Sequence, residues 1–232
     1  MTVRQLPGKN VYLIRSANDL PDVLSEFVIY NFQYDPGQGI GMYFSPDGTS
    51  LVPLYTEGWD DLTSDLSGGK TAGANVPAWA VFRDGIYSYA FSATLMKEVW
   101  ITFHVKHDYK VGSNGYVHIH WAPTTTSTGV VRWGFEYSVA KGHDQEAFPA
   151  STTVYVNHTI SVDKQYQHII SEIADVDAFD LLETDSLILC RVFRDAANAA
   201  DTFPDVVSAF TADIHYQADK QFTPNKSPPF FS

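Results

Sequence analysis

The sequence predicts an all-β fold: a β-sandwich or jelly roll of about eight antiparallel strands, with extended N- and C-terminal arms. Three observations carry that expectation. The 232-residue chain holds 13 Tyr, 15 Phe and 5 Trp, residue types that suit a pleated, half-buried surface. Its apolar residues recur with a period of two along short runs. Gly-, Pro-, Asn- and Asp-rich turn signals separate those runs, and helical spacing is weak.

In chain order, residues 1–80 read as an irregular N-terminal arm with loops. The short apolar runs Val11–Ile14, Phe27–Tyr34 and Gly41–Phe44 are broken by Pro7, Pro21, Pro36, Pro46 and Pro53. Ser16–Ser25 could form a helical turn or two. Asp61–Ala78 reads as a long loop, with Gly68, Gly69 and Gly73 supplying flexibility. Such an arm cannot hold a full core, so it is expected to lie against the main domain or a neighbouring subunit.

Residues 81–220 read as the sandwich domain. Ile86–Ala93 alternates after an Asp84-Gly85 turn signal. Val99–Val105 sets Val99, Ile101, Phe103 and Val105 against Trp100, Thr102 and His104. In Tyr116–Trp121, the side chains of Tyr116, His118 and His120 oppose those of Val117, Ile119 and Trp121. After a Thr/Ser-rich loop, Val131, Trp133, Phe135, Tyr137 and Val139 oppose Arg132, Glu136 and Ser138. Thr152–Ile160, Tyr166–Ile170 and Leu187–Phe193 follow, and Val206–Tyr216 closes the set with Phe210, Ala212, Ile214 and Tyr216 in phase. Ser171–Leu182 could hold a short helix. Residues 221–232 form an extended tail whose Phe230-Phe231 pair is costly to expose, so it should dock on a partner or on the domain.

A formal charge of −12 without any Lys/Arg cluster argues against a nucleic-acid groove, which needs cations to displace counterions. The single cysteine, Cys190, permits no intramolecular disulfide and reads as packing. No apolar run approaches a membrane span, and the N-terminus lacks the apolar segment of a secretory signal, so folding in a reducing cytoplasm is expected.

The strongest chemical motif is His118-Ile119-His120. Histidines at i and i+2 of a strand share a face and could chelate one metal. If the last strand lies alongside, Asp213 and His215 sit on its polar face, and Arg132 and Glu136 on that of the neighbouring strand. A His/His/Glu set, or a His/His/His set of His118, His120 and His215, would suit iron, manganese or zinc. A cupin-type HxH pair is followed closely by Glu, whereas here Trp121-Ala122-Pro123-Thr124 follows. The favoured expectation is therefore no metal and no cofactor. The imidazoles would instead be hydrogen-bonded in a structural polar seam, between sheets or between subunits, with Arg132, Glu136, Arg194, Asp195, Asp213 and His215. Carboxylates such as Glu136, Asp195, Asp201 and Asp205 show no spacing that marks glycoside chemistry, and Arg194, Asp195 and Asp201 read as local ion pairs stapling a loop. No GxSxG elbow occurs, and Gly37-Gln38-Gly39-Ile40-Gly41 lacks the helix of a phosphate loop. Trp121 and Trp133 lie in phase with apolar neighbours, which favours core packing over sugar stacking.

One longer pattern remains. HDYKVGSNGYVHIHW, VRWGFEYSVAKG, ILCRVFRDA, DTF and ADIHYQAD, in that order, resemble a set of structural proteins of tailed bacteriophages and prophages. His107, Asp108, His118, His120, Trp121, Arg191, Arg194, Asp195, Asp201, Asp213, His215 and Tyr216 fall on that family's pattern. Val111 stands where the family carries an acidic residue. The resemblance spans roughly residues 80–220 and implies a virion component with a jelly-roll domain. A capsid decoration (cement) role is expected first, with a tail or head-fibre role second. It implies no catalytic activity. The expected partners are the major capsid protein or other virion proteins, together with further copies of this chain as a dimer or trimer. No direct nucleic-acid or membrane contact is expected, and the location would be the virion, after synthesis in the host cytoplasm. The contact residues expected in the arms are Tyr12, Leu13, Phe27, Tyr30, Phe32, Phe230 and Phe231. A carbohydrate-binding β-sandwich module is the rival reading, and a cupin-like metalloenzyme ranks last.

Overall fold

The computed structural model describes residues 3–6, 9–14, 28–33, 41–46, 51–53, 57–143 and 147–219, the first five segments by their backbone. The chain divides into two compact units, Met1–Gly58 and Trp59–Ser232.

In the first unit, β1 (Val3–Leu6), β2 (Lys9–Ile14), β3 (Val28–Gln33), β4 (Gly41–Pro46) and β5 (Leu51–Pro53) form one five-stranded sheet in chain order. Only β2 and β3 run parallel; the other neighbours are antiparallel. This differs from the irregular arm expected over residues 1–80. Of the prolines that break the apolar runs, Pro46 and Pro53 lie among the described residues and sit at strand ends, where a missing N–H costs the ladder least. Tyr12 lies opposite Tyr30, and Ile14 opposite Phe32, in the β2–β3 register. Leu13 also lies in β2. Phe27, Phe230 and Phe231 lie outside the described residues.

The second unit is an all-β sandwich. Its strands are β6 (Glu57–Asp65), β7 (Ala78–Arg83), β8 (Ile86–Phe91), β9 (Lys97–His104), β10 (Asn114–Pro123), β11 (Gly129–Ala140), β12 (Thr152–Ile160), β13 (Ile169–Glu172), β14 (Phe179–Asp180), β15 (Leu187–Arg194) and β16 (Val207–Asp219). One sheet runs β13-β10-β16-β8-β7, with β14 also paired to β10 and β6 to β16. The other runs β12-β11-β15-β9. Alternation along β10 and β11 delivers Trp121 and Trp133 into the space between the sheets. Their rings lie 5.9 Å apart, Phe91 of β8 packs edge-on against Trp133 at 5.1 Å, and all three are fully buried. Burial of such aromatic area is the main force holding the two layers together.

Three segments differ from the sequence expectation, each for a local reason. Most of the expected Asp61–Ala78 loop is structured: β6 runs to Asp65, and 3-10 turns follow at Leu66–Gly68 and Gly73–Asn75. Leu62, Leu66 and Pro77 are its buried residues, too few to show a period of two. The short helix expected in Ser171–Leu182 is instead the end of β13, a 3-10 turn at Asp175–Asp177, and β14. In β16 the β10 pairing shifts between His120 and Trp121, leaving Phe210 unopposed in a bulge. The bulge breaks the expected phase, so Val207 and Ala209 join Ala212, Ile214 and Tyr216 among the buried positions.

Candidate functional site

Strand β10 lies between β13 and β16, and this placement builds the site. His118 stands opposite Asp213 on one side and Glu172 on the other, while Tyr116 stands opposite His215 and His120 opposite Thr211. Directly opposed residues share a sheet face, so imidazoles and carboxylates from three strands gather on the outer face of the large sheet. The Nε2 atoms of His118 and His120 are 3.0 Å apart. Asp213 Oδ2 lies 3.0 Å from His120 Nε2 and 3.7 Å from His118 Nε2. His168, just before β13, meets His120 Nδ1 through its Nε2 at 2.7 Å. The His215 ring lies 4.1 Å from that of His118; its Nδ1 contacts Glu172 and its Nε2 lies 3.1 Å from Asp61 of β6.

The His118 side chain is 1% exposed, yet its Nδ1 has no hydrogen-bond partner; the nearest carboxylate oxygen, on Glu172, is 3.8 Å away. Burial holds the His120 imidazole below its ordinary range against the opposing pull of Asp213. For Asp213, burial pushes the carboxyl up, but His118, the Thr211 hydroxyl and the charge of His120 outweigh it, and the carboxyl lies below its ordinary range. Thr211 Oγ1 is 2.8 Å from Asp213 Oδ1, and the Ser64 amide donates to the same oxygen at 3.3 Å. Beside the cluster opens a cleft of about 390 Å³ lined by Trp59, Tyr116, Glu172, Asp175 and His215. Trp59 packs edge-on against Tyr116 at 5.7 Å.

The expected polar seam is not one seam. His118, His120, Asp213 and His215 meet as described, on an outer sheet face rather than between sheets. Arg132 and Glu136 belong to β11 in the other sheet. Arg132 Nε pairs with Asp195 at 3.2 Å, its Nη1 donates to Asn157 at 3.0 Å, and its guanidinium lies over the Tyr155 ring at 3.9 Å. Glu136 pairs with Arg191 at 2.7 Å, and Arg191 also binds the buried Glu98 at 2.6 Å. Arg194 is wholly buried at the core-facing end of β15, bound to Asp201.

Several participants escaped the sequence reading. Asp61, His168 and Glu172 lie on segments with no signal tying them to the HxH pair. A second group gathers at Asp185, whose carboxylate receives His104 Nε2 at 3.2 Å, His107 Nε2 at 3.3 Å and His143 Nε2 at 3.0 Å. His107 and Asp108 open the HDY motif, and Asp108 accepts a 2.7 Å hydrogen bond from the buried Tyr216 hydroxyl. The motif thus contributes to the Asp185 group through His107 and to a separate buried tie through Asp108, which its residue types alone do not reveal.

Comparison with known proteins adds little. No family model and no curated protein matches the chain. Among solved structures, an exo-β-1,3-galactanase from Phanerochaete chrysosporium, crystallised with galactose, is similar at a TM-score of 0.36 and 11% identity, covering 75% of this chain and 33% of that one. A CocE/NonD family hydrolase from Staphylococcus aureus is similar at a TM-score of 0.32 and 10% identity, covering 83% of this chain and 39% of that one. This chain therefore spans a third of the first protein's length and about two fifths of the second's, and neither likeness bears on what it does.

Proposed function

We propose that this chain is a bacteriophage virion structural protein, a capsid decoration (cement) protein that stabilises the head by binding the capsid surface and copies of itself. One observation carries the reading. The residues that match the phage family's pattern, spread from His107 to Tyr216, act here as tie points between distant strands. Tyr216 donates to Asp108, Arg194 grips Asp201, and His118 and His120 converge on Asp213. A pattern whose rare residues serve cross-strand ties fits a building block that must hold its shape under load. The hairpin of β7 and β8 supports the same reading. It ends the sheet and exposes Trp79, Val81, Ile86 and Tyr87, with Trp79 stacked on Tyr87 at 6.4 Å. An apolar face along a sheet edge marks a protein contact, here with a neighbouring capsid protein. Binding only the assembled shell stabilises that shell by mass action.

The test is cosedimentation of the purified full chain with emptied heads of the virus that encodes it. Saturable binding, weakened by Trp79→Glu, and shells that resist heating better are expected. A chain that stays in the supernatant at every concentration overturns the reading.

A carbohydrate-binding module is the second reading, favoured by one feature. Trp59 is 59% exposed and joins Tyr116, Glu172, Asp175 and His215 around the cleft, a mixture of aromatic and acidic groups that suits a sugar. A glycan array with hits that vanish in Trp59→Ala would support it, and an array without hits removes it.

A further inference from the structure

We propose that His118, His120 and Asp213 bind a divalent first-row transition-metal ion, such as zinc, that clamps β10 to β16. The inference rests on the geometry of the cluster and is independent of the virion reading.

The three facing atoms, His118 Nε2, His120 Nε2 and Asp213 Oδ2, are separated by 3.0, 3.0 and 3.7 Å. A circle through them has a radius of about 1.9 Å, so a point about 2.1 Å from each, an ordinary metal–nitrogen or metal–oxygen bond length, lies a little under about 1 Å to one side of their plane. Two imidazoles and one carboxylate would thus occupy one triangular face of the ion and leave the remaining positions for water.

Hydrogen bonding alone does not satisfy this arrangement. With no ion, the tight contacts are met if His168 donates to His120 Nδ1 and His120 Nε2–H donates toward Asp213 and His118. His118 Nε2 then accepts, and its proton sits on Nδ1, buried and without a partner. If His118 carries its proton on Nε2 instead, Nδ1 becomes a buried acceptor without a donor. Without an ion, one proton between the two Nε2 atoms must serve the short contacts of His120 with both His118 and Asp213, and Nδ1 of the buried His118 finds an acceptor only in the first assignment and only if Glu172 moves closer.

An ion resolves the conflict. With both Nε2 lone pairs on the metal, His120 Nδ1–H donates to His168 Nε2 at 2.7 Å. His118 Nδ1–H then faces Glu172, whose half-exposed side chain can close the 3.8 Å gap. Asp213 is held through its other oxygen by Thr211 and the Ser64 amide. Each ligand thereby acquires the outer hydrogen-bond partner that orients metal-binding side chains. Asp61, His118 and His215 also approach one another closely, but there His215 already has a carboxylate at each nitrogen, Glu172 at Nδ1 and Asp61 at Nε2. Asp61 and Glu172 instead add negative charge around the cation.

The experiment uses the untagged full chain, stripped with EDTA and titrated with zinc ion by calorimetry, with bound metal counted by elemental analysis. About one ion per chain and a rise in melting temperature with zinc are expected. Cobalt(II) in its place should give the absorption bands of nitrogen and oxygen ligation. His120→Ala and Asp213→Asn, each checked for native near-UV circular dichroism, should bind zinc at least tenfold more weakly, and His104→Ala should bind as the parent does. Substoichiometric binding by the parent overturns the proposal. So does undiminished binding by the two site variants, or a loss confined to His104→Ala, which would move the ion to the Asp185 group.

Discussion

Arg194 grips Asp201 through two parallel hydrogen bonds, Nε to Oδ2 at 2.9 Å and Nη2 to Oδ1 at 2.8 Å, with both side chains fully excluded from solvent. Two further guanidinium hydrogens go to the carbonyls of Asp205 and Phe203, each at 2.7 Å. Asp201 also accepts the Arg132 amide at 3.0 Å. A buried charge pair this well satisfied ties the loop after β15 across the end of the sandwich. Removing one partner strands the other charge. Arg194→Met should therefore cost about 3–5 kcal/mol in denaturant unfolding, whereas Arg194→Met combined with Asp201→Leu should recover much of the loss. A single-variant loss below about 1 kcal/mol would mean that the pair behaves as an exposed one.

Gly134 of β11 stands opposite Phe193 of β15, and a Cβ at position 134 would overlap the Phe193 ring. The ring covers the glycine, with the Arg191 guanidinium 4.5 Å from its centroid and Tyr155 edge-on at 5.9 Å. Gly134→Ala should destabilise by about 1–3 kcal/mol through overpacking. Phe193→Leu frees the space, so the double variant should fall short of the summed losses in a thermodynamic cycle. Strict additivity would show that the ring moves aside at no cost.

Burial pushes the Cys190 thiol up to about 12, with the charge of Glu136 adding to the shift. The thiolate is the reactive form, so the native protein should resist a disulfide reagent at neutral pH and react stoichiometrically once unfolded. Rapid labelling of the native chain would contradict the packing role of this residue.

Alternation along a strand reports which face a side chain occupies, and that much was legible here. Val117, Ile119 and Trp121 are buried while His120 keeps partial exposure, and the same rule sorted β9, β11 and most of β16. Alternation does not say which sheet a strand joins. Arg132 and Glu136 share the polar phase of their strand, yet β11 pairs with β12 and β15, far from the HxH face. Strand β6 was invisible because its sequence, EGWDDLTSD, offers few apolar residues to alternate. His168 reaches His120 across 48 positions of sequence, through a register that only pairing to β13 sets. The HxH pair was legible because its two members lie on one strand. The completing groups depend on which strands become neighbours, a long-range outcome that local pattern does not carry.

His158 of β12 is half-buried and edge-on to Trp121, with ring centroids 5.6 Å apart at 88°. Burial holds its imidazole below the ordinary value of 6.5. The folded state therefore prefers the neutral ring, and the unfolded chain takes up a proton first as the pH falls. The stability contributed by this neutral ring is complete above 6.5 and is lost as the pH drops from there through the lowered folded value. Replacing it by His158→Phe removes the titration and keeps a ring against Trp121. The stability of the variant relative to the parent should thus be constant above about 6.5 and should rise as the pH falls below it, because only the parent pays the protonation penalty. Urea unfolding of both proteins across that range measures the difference directly. A difference that stays flat with pH would mean that the ring is solvated enough to protonate in place.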